Sequence, residues 1–71
     1  MKKGLYKHYK GNLYDVIESV THSETEEQMV LYRPLYGEKG LWVRPYAMFF
    51  ETVVYEGTEV ARFLYVGESD E

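Results

Sequence analysis

The sequence predicts an all-β fold. Turn-forming residues recur at short intervals along its 71 residues, at Gly11-Asn12, Ser23 to Gln28, Gly37-Glu38-Lys39-Gly40 and Glu56-Gly57-Thr58. The runs between them are rich in Val and Tyr, residues that suit a pleated, half-buried surface. Five to six such short runs in so short a chain imply a small barrel or roll. In order, strands are expected at about Leu5 to Lys10, Leu13 to His22, Met29 to Tyr36 and Leu41 to Arg44. A short one follows near Thr52 to Tyr55, and a last one at Val60 to Val66.

Two segments call for something other than a strand. Arg44-Pro45 precedes Tyr46-Ala47-Met48-Phe49-Phe50-Glu51, which places proline where a helix start tolerates it and the residue before it extended. One helical or 3₁₀ turn there would swing Phe49 or Met48 under the barrel as a plug. Ser23-Glu24-Thr25-Glu26 has the spacing of a capping box, so a helical turn is also expected in the acidic loop. Residues 1–71 are expected to form a single domain, ordered from about 4 to 66. Residues 67–71, Gly67-Glu68-Ser69-Asp70-Glu71, have nothing to bury and are expected to fray.

Strand parity sorts the side chains, since successive residues point to opposite faces. Leu41 and Val43 share one face, Trp42 and Arg44 the other. Val30, Tyr32, Pro34 and Tyr36 oppose Met29, Leu31, Arg33 and Leu35. Both faces are largely apolar. The parity predicts an inner set that includes Phe49 and Phe63, and an outer set near Trp42, Tyr32 and Tyr36 covered by the plug, a second copy or a ligand.

Composition narrows the function classes. Eight Tyr, three Phe and one Trp outnumber six Leu and one Ile, and a chain this short hides only ~60% of its extended surface, so some rings stay partly wet. The absence of cysteine excludes disulfides, thiolate metal sites and a cysteine nucleophile. The basic start lacks the apolar core of a signal peptide, and no stretch approaches about 18 apolar residues, so a cytoplasmic protein without a membrane span is expected. The net charge is −4. Lys2, Lys3, Lys7 and Lys10 stand without an acid in the first ten residues, leaving four cations against twelve acids beyond them, or −8. An acidic body argues against a large phosphate-tracking surface.

A longer pattern runs through Gly4-Leu5-Tyr6-Lys7-His8-Tyr9-Lys10-Gly11, Tyr14-Asp15-Val16, His22-Ser23-Glu24-Thr25, Val30-Leu31-Tyr32, Leu35-Tyr36-Gly37, Leu41-Trp42-Val43-Arg44-Pro45, Met48-Phe49, Glu51 and Arg62-Phe63. In order and spacing it resembles the small bacterial family known as domain of unknown function 1653, over nearly the whole chain from Gly4 to about Val66. The resemblance implies a compact SH3-type β-barrel, and no activity, substrate or cofactor. Folding alone accounts for much of the pattern: Gly11 and Gly37 sit where tight turns need positive φ, and Pro45 starts an element. It accounts less obviously for His22, Arg44 and Arg62.

Each arginine has an aromatic neighbour: Arg33 follows Tyr32, Arg44 is two residues from Trp42, and Arg62 precedes Phe63. A guanidinium stacks on rings and offers a rigid fork to carboxylate or phosphate. The competing reading packs each stem on a ring and pairs its head with Glu18, Glu24, Glu51 or Glu59. The ligand-binding candidates are therefore Trp42, Arg44, Arg62, His22, Tyr32 and Tyr36, in a noncatalytic module that recognises a peptide, a protein or a small anionic ligand. A homodimer through the surplus aromatic face fits the same pattern.

Two further function classes are weighed. The Lys-rich first strand, with Tyr6 and Tyr9 interleaved, can stack on bases in a nucleic-acid-binding barrel; alternatively its lysines protect an exposed sheet edge. His22 and Glu24, two apart, can serve a hydrolase or hold a metal, against the reading of a hydrogen-bonded structural histidine. Ser19 and Ser23 lack a nucleophile elbow, Gly37 to Gly40 reads as a hairpin turn, and 71 residues scarcely wall off a pocket. No cofactor, resident metal or catalytic residue is expected.

Overall fold

In the computed structural model, which describes residues 1–68, the order is β1 (Gly4–His8), β2 (Leu13–Thr21), β3 (Gln28–Pro34), β4 (Trp42–Pro45), α1 (Tyr46–Phe49), β5 (Thr52–Tyr55), β6 (Thr58–Ala61) and β7 (Phe63–Gly67). One antiparallel sheet runs β4-β3-β2-β1-β7, and β5 with β6 forms a separate two-stranded ribbon. The all-β class is as the sequence predicts.

The large sheet is rolled. Tyr32 on β3 and Phe63 on β7 are separated by β2 and β1, which in a flat sheet would hold them about 14 Å apart at ~4.8 Å per strand. Their ring centroids lie 6.0 Å apart. An extra residue, Ile17, bulges between Val16 and Glu18 in the β2–β3 pairing, and bulges bend a strand and increase its twist. The outer edges β4 and β7 are not paired with each other, so the described residues form an open roll.

Its concave face holds the core: Tyr6, Tyr14, Val16, Val30, Tyr32, Phe49 and Phe63. Five of the seven are aromatic, which is how a short chain with few aliphatic residues fills its interior. Phe49 and Phe63 stack in parallel with centroids 4.1 Å apart, and the tyrosines meet their neighbours edge-on. Each buried tyrosine has a partner for its hydroxyl. Tyr6 donates to the Lys2 carbonyl at 2.7 Å, Tyr14 shares a hydrogen bond with Tyr36 at 3.1 Å, and Tyr32 accepts from Arg44 at 3.4 Å.

The helical plug forms as expected. Pro45 precedes a single turn, the Phe50 N–H donates to the Tyr46 carbonyl at 3.2 Å, and Phe49 is fully buried while Met48 faces outward. Gly11 and Gly37 have the expected positive φ.

Several expectations are corrected. The last strand is two: the chain breaks at Arg62, whose N–H donates to the Glu51 carbonyl and whose carbonyl accepts the Tyr9 N–H, both at 3.0 Å. The backbone is bonded on one side to the ribbon's root and on the other to the end of β1, and there it changes sheets. The acidic loop holds the expected helical turn but not the expected capping box. Its one α-turn, Glu26 N–H to the His22 carbonyl, ends in left-handed Glu26, and the His22 ring takes the acceptor role of a capping serine. β1 lies between β2 and β7, so its lysines guard no edge. Tyr32 belongs to the inner face and is 2% exposed, because β3 turns Val30, Tyr32 and Pro34 together into the roll. Gly67 pairs with Leu5 and so continues the sheet, whereas residues 69–71 of the expected tail lie outside the described residues.

Candidate functional site

The β3–β4 register sets Trp42 opposite Tyr32 and Arg44 opposite Val30, so both project from the concave face at an open edge. Arg44 is half-buried. Its Nε–H donates to the Tyr32 hydroxyl at 3.4 Å, and its guanidinium lies 5.6 Å from the Phe63 ring centroid. Among the described residues no carboxylate lies within ion-pairing distance of it.

His8 reaches the same ring from the neighbouring strand, on the same face of the sheet. It pairs with Phe63 across β1 and β7, and the two ring centroids are 5.0 Å apart. Burial, then the positive charges of Arg62, Arg44 and Lys10, holds its pKa below the usual histidine range. Its Nδ1 accepts the Lys10 N–H at 3.1 Å, so the neutral ring carries its proton on Nε2. Among the described residues Nε2 bonds no other protein group and is open to solvent. An unpaired imidazole donor and an uncompensated guanidinium therefore flank Phe63.

Aromatic rings continue from this point. Tyr14 lies 6.3 Å from His8 and bonds Tyr36, which lies 6.4 Å from Trp42. Burial, then the hydrogen bond shared with Tyr36, pushes the pKa of the Tyr14 hydroxyl up to about 12. Tyr36 and Trp42, 42% and 45% exposed, line a cavity of about 320 Å³ with Pro34, Gly37, Glu38, Lys39 and Gly40.

The six sequence candidates do not share one concavity. Trp42 and Tyr36 line the cavity, and Arg44 stands on the same strand and face as Trp42. Tyr32 offers only its hydroxyl, to Arg44. Arg62 stands near His8, but its Nε–H donates to Glu51 Oε1 at 3.0 Å and its charge is neutralised there. For Arg62 the competing structural reading is the one observed. His22 lies at the far end of β2 from Tyr14, roughly 25 Å away at ~3.4 Å per residue. Its Nδ1 accepts the backbone N–H groups of Glu24 and Thr25, at 3.2 and 3.3 Å, which builds the loop.

His8 and Tyr14 are the residues that sequence reasoning passed over. The signal was present, since His8 lies two residues from Tyr6 on one strand and so shares its inward face. The N-terminal lysines are dispersed: Lys2 lies over Tyr65, Lys3 pairs with Glu18 at 3.0 Å, and Lys10 lies over Tyr9.

Residues 4–65 match the family described as a protein of unknown function, DUF1653. The chain belongs to that family. The fold agrees: a crystal structure of a DUF1653 protein from Bordetella bronchiseptica is 33% identical, with a TM-score of 0.90 over 100% of this chain and 94% of that one. No curated protein matches. Family membership brings an architecture and no activity, so the function of this DUF1653 protein is argued from its surface. No helix among the described residues is long and apolar enough to cross a membrane.

Proposed function

We propose that this protein is a noncatalytic binding module that takes an anionic group, of a small ligand or a peptide, at Arg44. The ring-lined cavity of Tyr36 and Trp42 would receive the planar or apolar part of the ligand beside it. The observation that carries this reading is Arg44 itself, a half-buried guanidinium with no carboxylate partner among the described residues. Partial burial weakens hydration of the charge, and an incoming anion gains charge-assisted hydrogen bonds there. The unpaired Nε2–H of His8 is a second donor at the same ring.

Phenyl phosphate, an anion joined to a ring, is a suitable first ligand, with inorganic phosphate as its ring-free control. Titrated against ¹⁵N-labelled protein, phenyl phosphate is expected to give saturable shifts at Arg44, His8, Tyr36 and Trp42 and to bind more tightly than phosphate. Arg44→Gln keeps a stem and a donor for Tyr32 while removing the charge. It should weaken binding at least tenfold with little change in the unfolding midpoint. Equal binding by the variant refutes the site.

A further inference from the structure

A second concavity lies apart from the Tyr36 and Trp42 cavity, and its chemistry differs. Lys7, His8 and Tyr9 from β1 and the loop after it, Leu64 from β7, and Tyr55, Val60 and Ala61 from the ribbon line a groove of about 220 Å³. Small-molecule pockets run to ~300–1,000 Å³, so this volume accepts one large side chain and not a whole ligand. Its walls are mostly aliphatic and aromatic, with few groups to read the polar edge of a nucleobase. No Asp or Glu lines it, Lys7 does, and Lys10 stands over Tyr9 at the rim. Glu59 belongs to the face of the ribbon opposite Tyr55 and Val60, where it accepts a hydrogen bond from Thr52.

The strand beside the groove is unfinished. β7 is the last strand of its sheet, hydrogen-bonded to β1 alone among the described residues, and Leu64 lies on it. The alternate N–H and C=O groups on its free side can pair with another extended backbone. A peptide has that backbone, whereas a nucleic acid does not.

From these features we infer that β7 and the adjoining groove bind an acidic, extended peptide segment of a partner protein. The segment adds as a strand along β7 and anchors one large apolar side chain between Tyr9, Tyr55, Val60 and Leu64. Main-chain bonding supplies register, the groove selects the anchor, and Lys7 and Lys10 favour acidic flanks. This surface shares His8 with the Arg44 site but needs neither the Arg44 charge nor the Tyr36 and Trp42 cavity, so each can fail without the other.

The test uses the whole chain and the peptide acetyl-Glu-Val-Phe-Val-Glu-amide, read by amide hydrogen exchange and ¹⁵N chemical shifts. The expected result is shifts at Lys7, Tyr9, Val60 and Leu64 together with at least tenfold slower exchange of β7 amides. Replacing the peptide's Phe by Ala, its Glu residues by Lys, or its amides by N-methyl amides should each weaken binding severalfold or more. Leu64→Glu, at a position 60% exposed and so tolerated by the fold, should abolish it, whereas Arg44→Gln should leave it unchanged. Absence of binding, binding without protection of β7, equal binding of the Ala peptide, or preference for an eight-nucleotide oligothymidylate at this groove would each overturn the inference.

Discussion

Arg44 and Arg62 begin from the same signal, a guanidinium close to an aromatic residue, and both come to rest near Phe63 and His8. Arg62 stands where the chain changes sheets. Its backbone bonds Glu51 and Tyr9, its side chain bonds the Glu51 carboxylate, and its charge is accounted for within the fold. Arg44 stands at the open edge of the roll, where only a neutral hydroxyl meets it. An arginine-aromatic neighbourhood therefore does not by itself mark a binding site. The presence of an acid within reach separates a structural joint from an open guanidinium, and only the three-dimensional arrangement supplies that information.

The largest expected effect disturbs both regions together. Phe49→Ala empties the space against Phe63 and should cost about 3–5 kcal/mol, a large share of the ~4–10 kcal/mol expected for a domain of this size. Chemical denaturation measures it, and a loss under 1 kcal/mol would show that the stacked pair does not hold the core. Next, Arg62→Ala should cost about 1 kcal/mol, since the pair it breaks is only part-exposed and its stem packs at the joint. Arg44→Gln should cost less than about 0.5 kcal/mol by the same assay, because it retains a stem and a donor.

The contrast can be sharpened through His8. Its folded-state pKa lies below the ordinary ~6.5, so on acidification the unfolded chain takes up a proton first. Stability is therefore level above about pH 6.5, falls as pH drops from there to the folded-state value, and levels again below it. In an NMR titration, removing the charge at Arg62 should raise the His8 pKa more than removing it at Arg44, the order in which the two act on the ring. Equal or reversed shifts would place the guanidinia differently. An anion bound at Arg44 should also raise the His8 pKa, so its affinity should increase as pH falls through the range in which His8 gains its proton.

The smallest effect concerns the ribbon that Arg62 roots. Glu56 and Gly57 both have positive φ, at 52° and 79°, which makes a two-residue type I′ turn between Tyr55 and Thr58. Asparagine tolerates that conformation better than glutamate, so Glu56→Asn should stabilise the fold by about 0.5 kcal/mol. Thermal unfolding tests it, and destabilisation would mean that the glutamate has a role beyond the turn.

Much of the fold was legible because its causes are local. Gly11, Gly37 and Glu56-Gly57 mark turns through their φ requirements, and Pro45 marks the plug that buries Phe49. The break at Arg62 was not legible, since Val60 to Val66 reads as one run of strand-forming residues. The change of sheet depends on hydrogen bonds to Glu51 and Tyr9, which are distant in sequence. Parity correctly grouped Val30, Tyr32 and Pro34 on one face but could not decide that this face is the concave one. The site was legible in part: Trp42, Tyr36 and Arg44 lie on one strand face and its adjoining turn. His22 was drawn in by Glu24, whose backbone N–H, and not its carboxylate, meets the imidazole. His8 was passed over because its partners Phe63, Arg62 and Arg44 come from the far half of the chain.

The central claim is that Arg44 is open to an anion while Arg62 is already satisfied. Side-chain ¹⁵N spectra of the arginine Nε–H groups during a phenyl phosphate titration address it directly. The account predicts that the Arg44 Nε–H resonance shifts and saturates while that of Arg62 stays in place. A shift led by Arg62, or no saturable shift at Arg44, would contradict it.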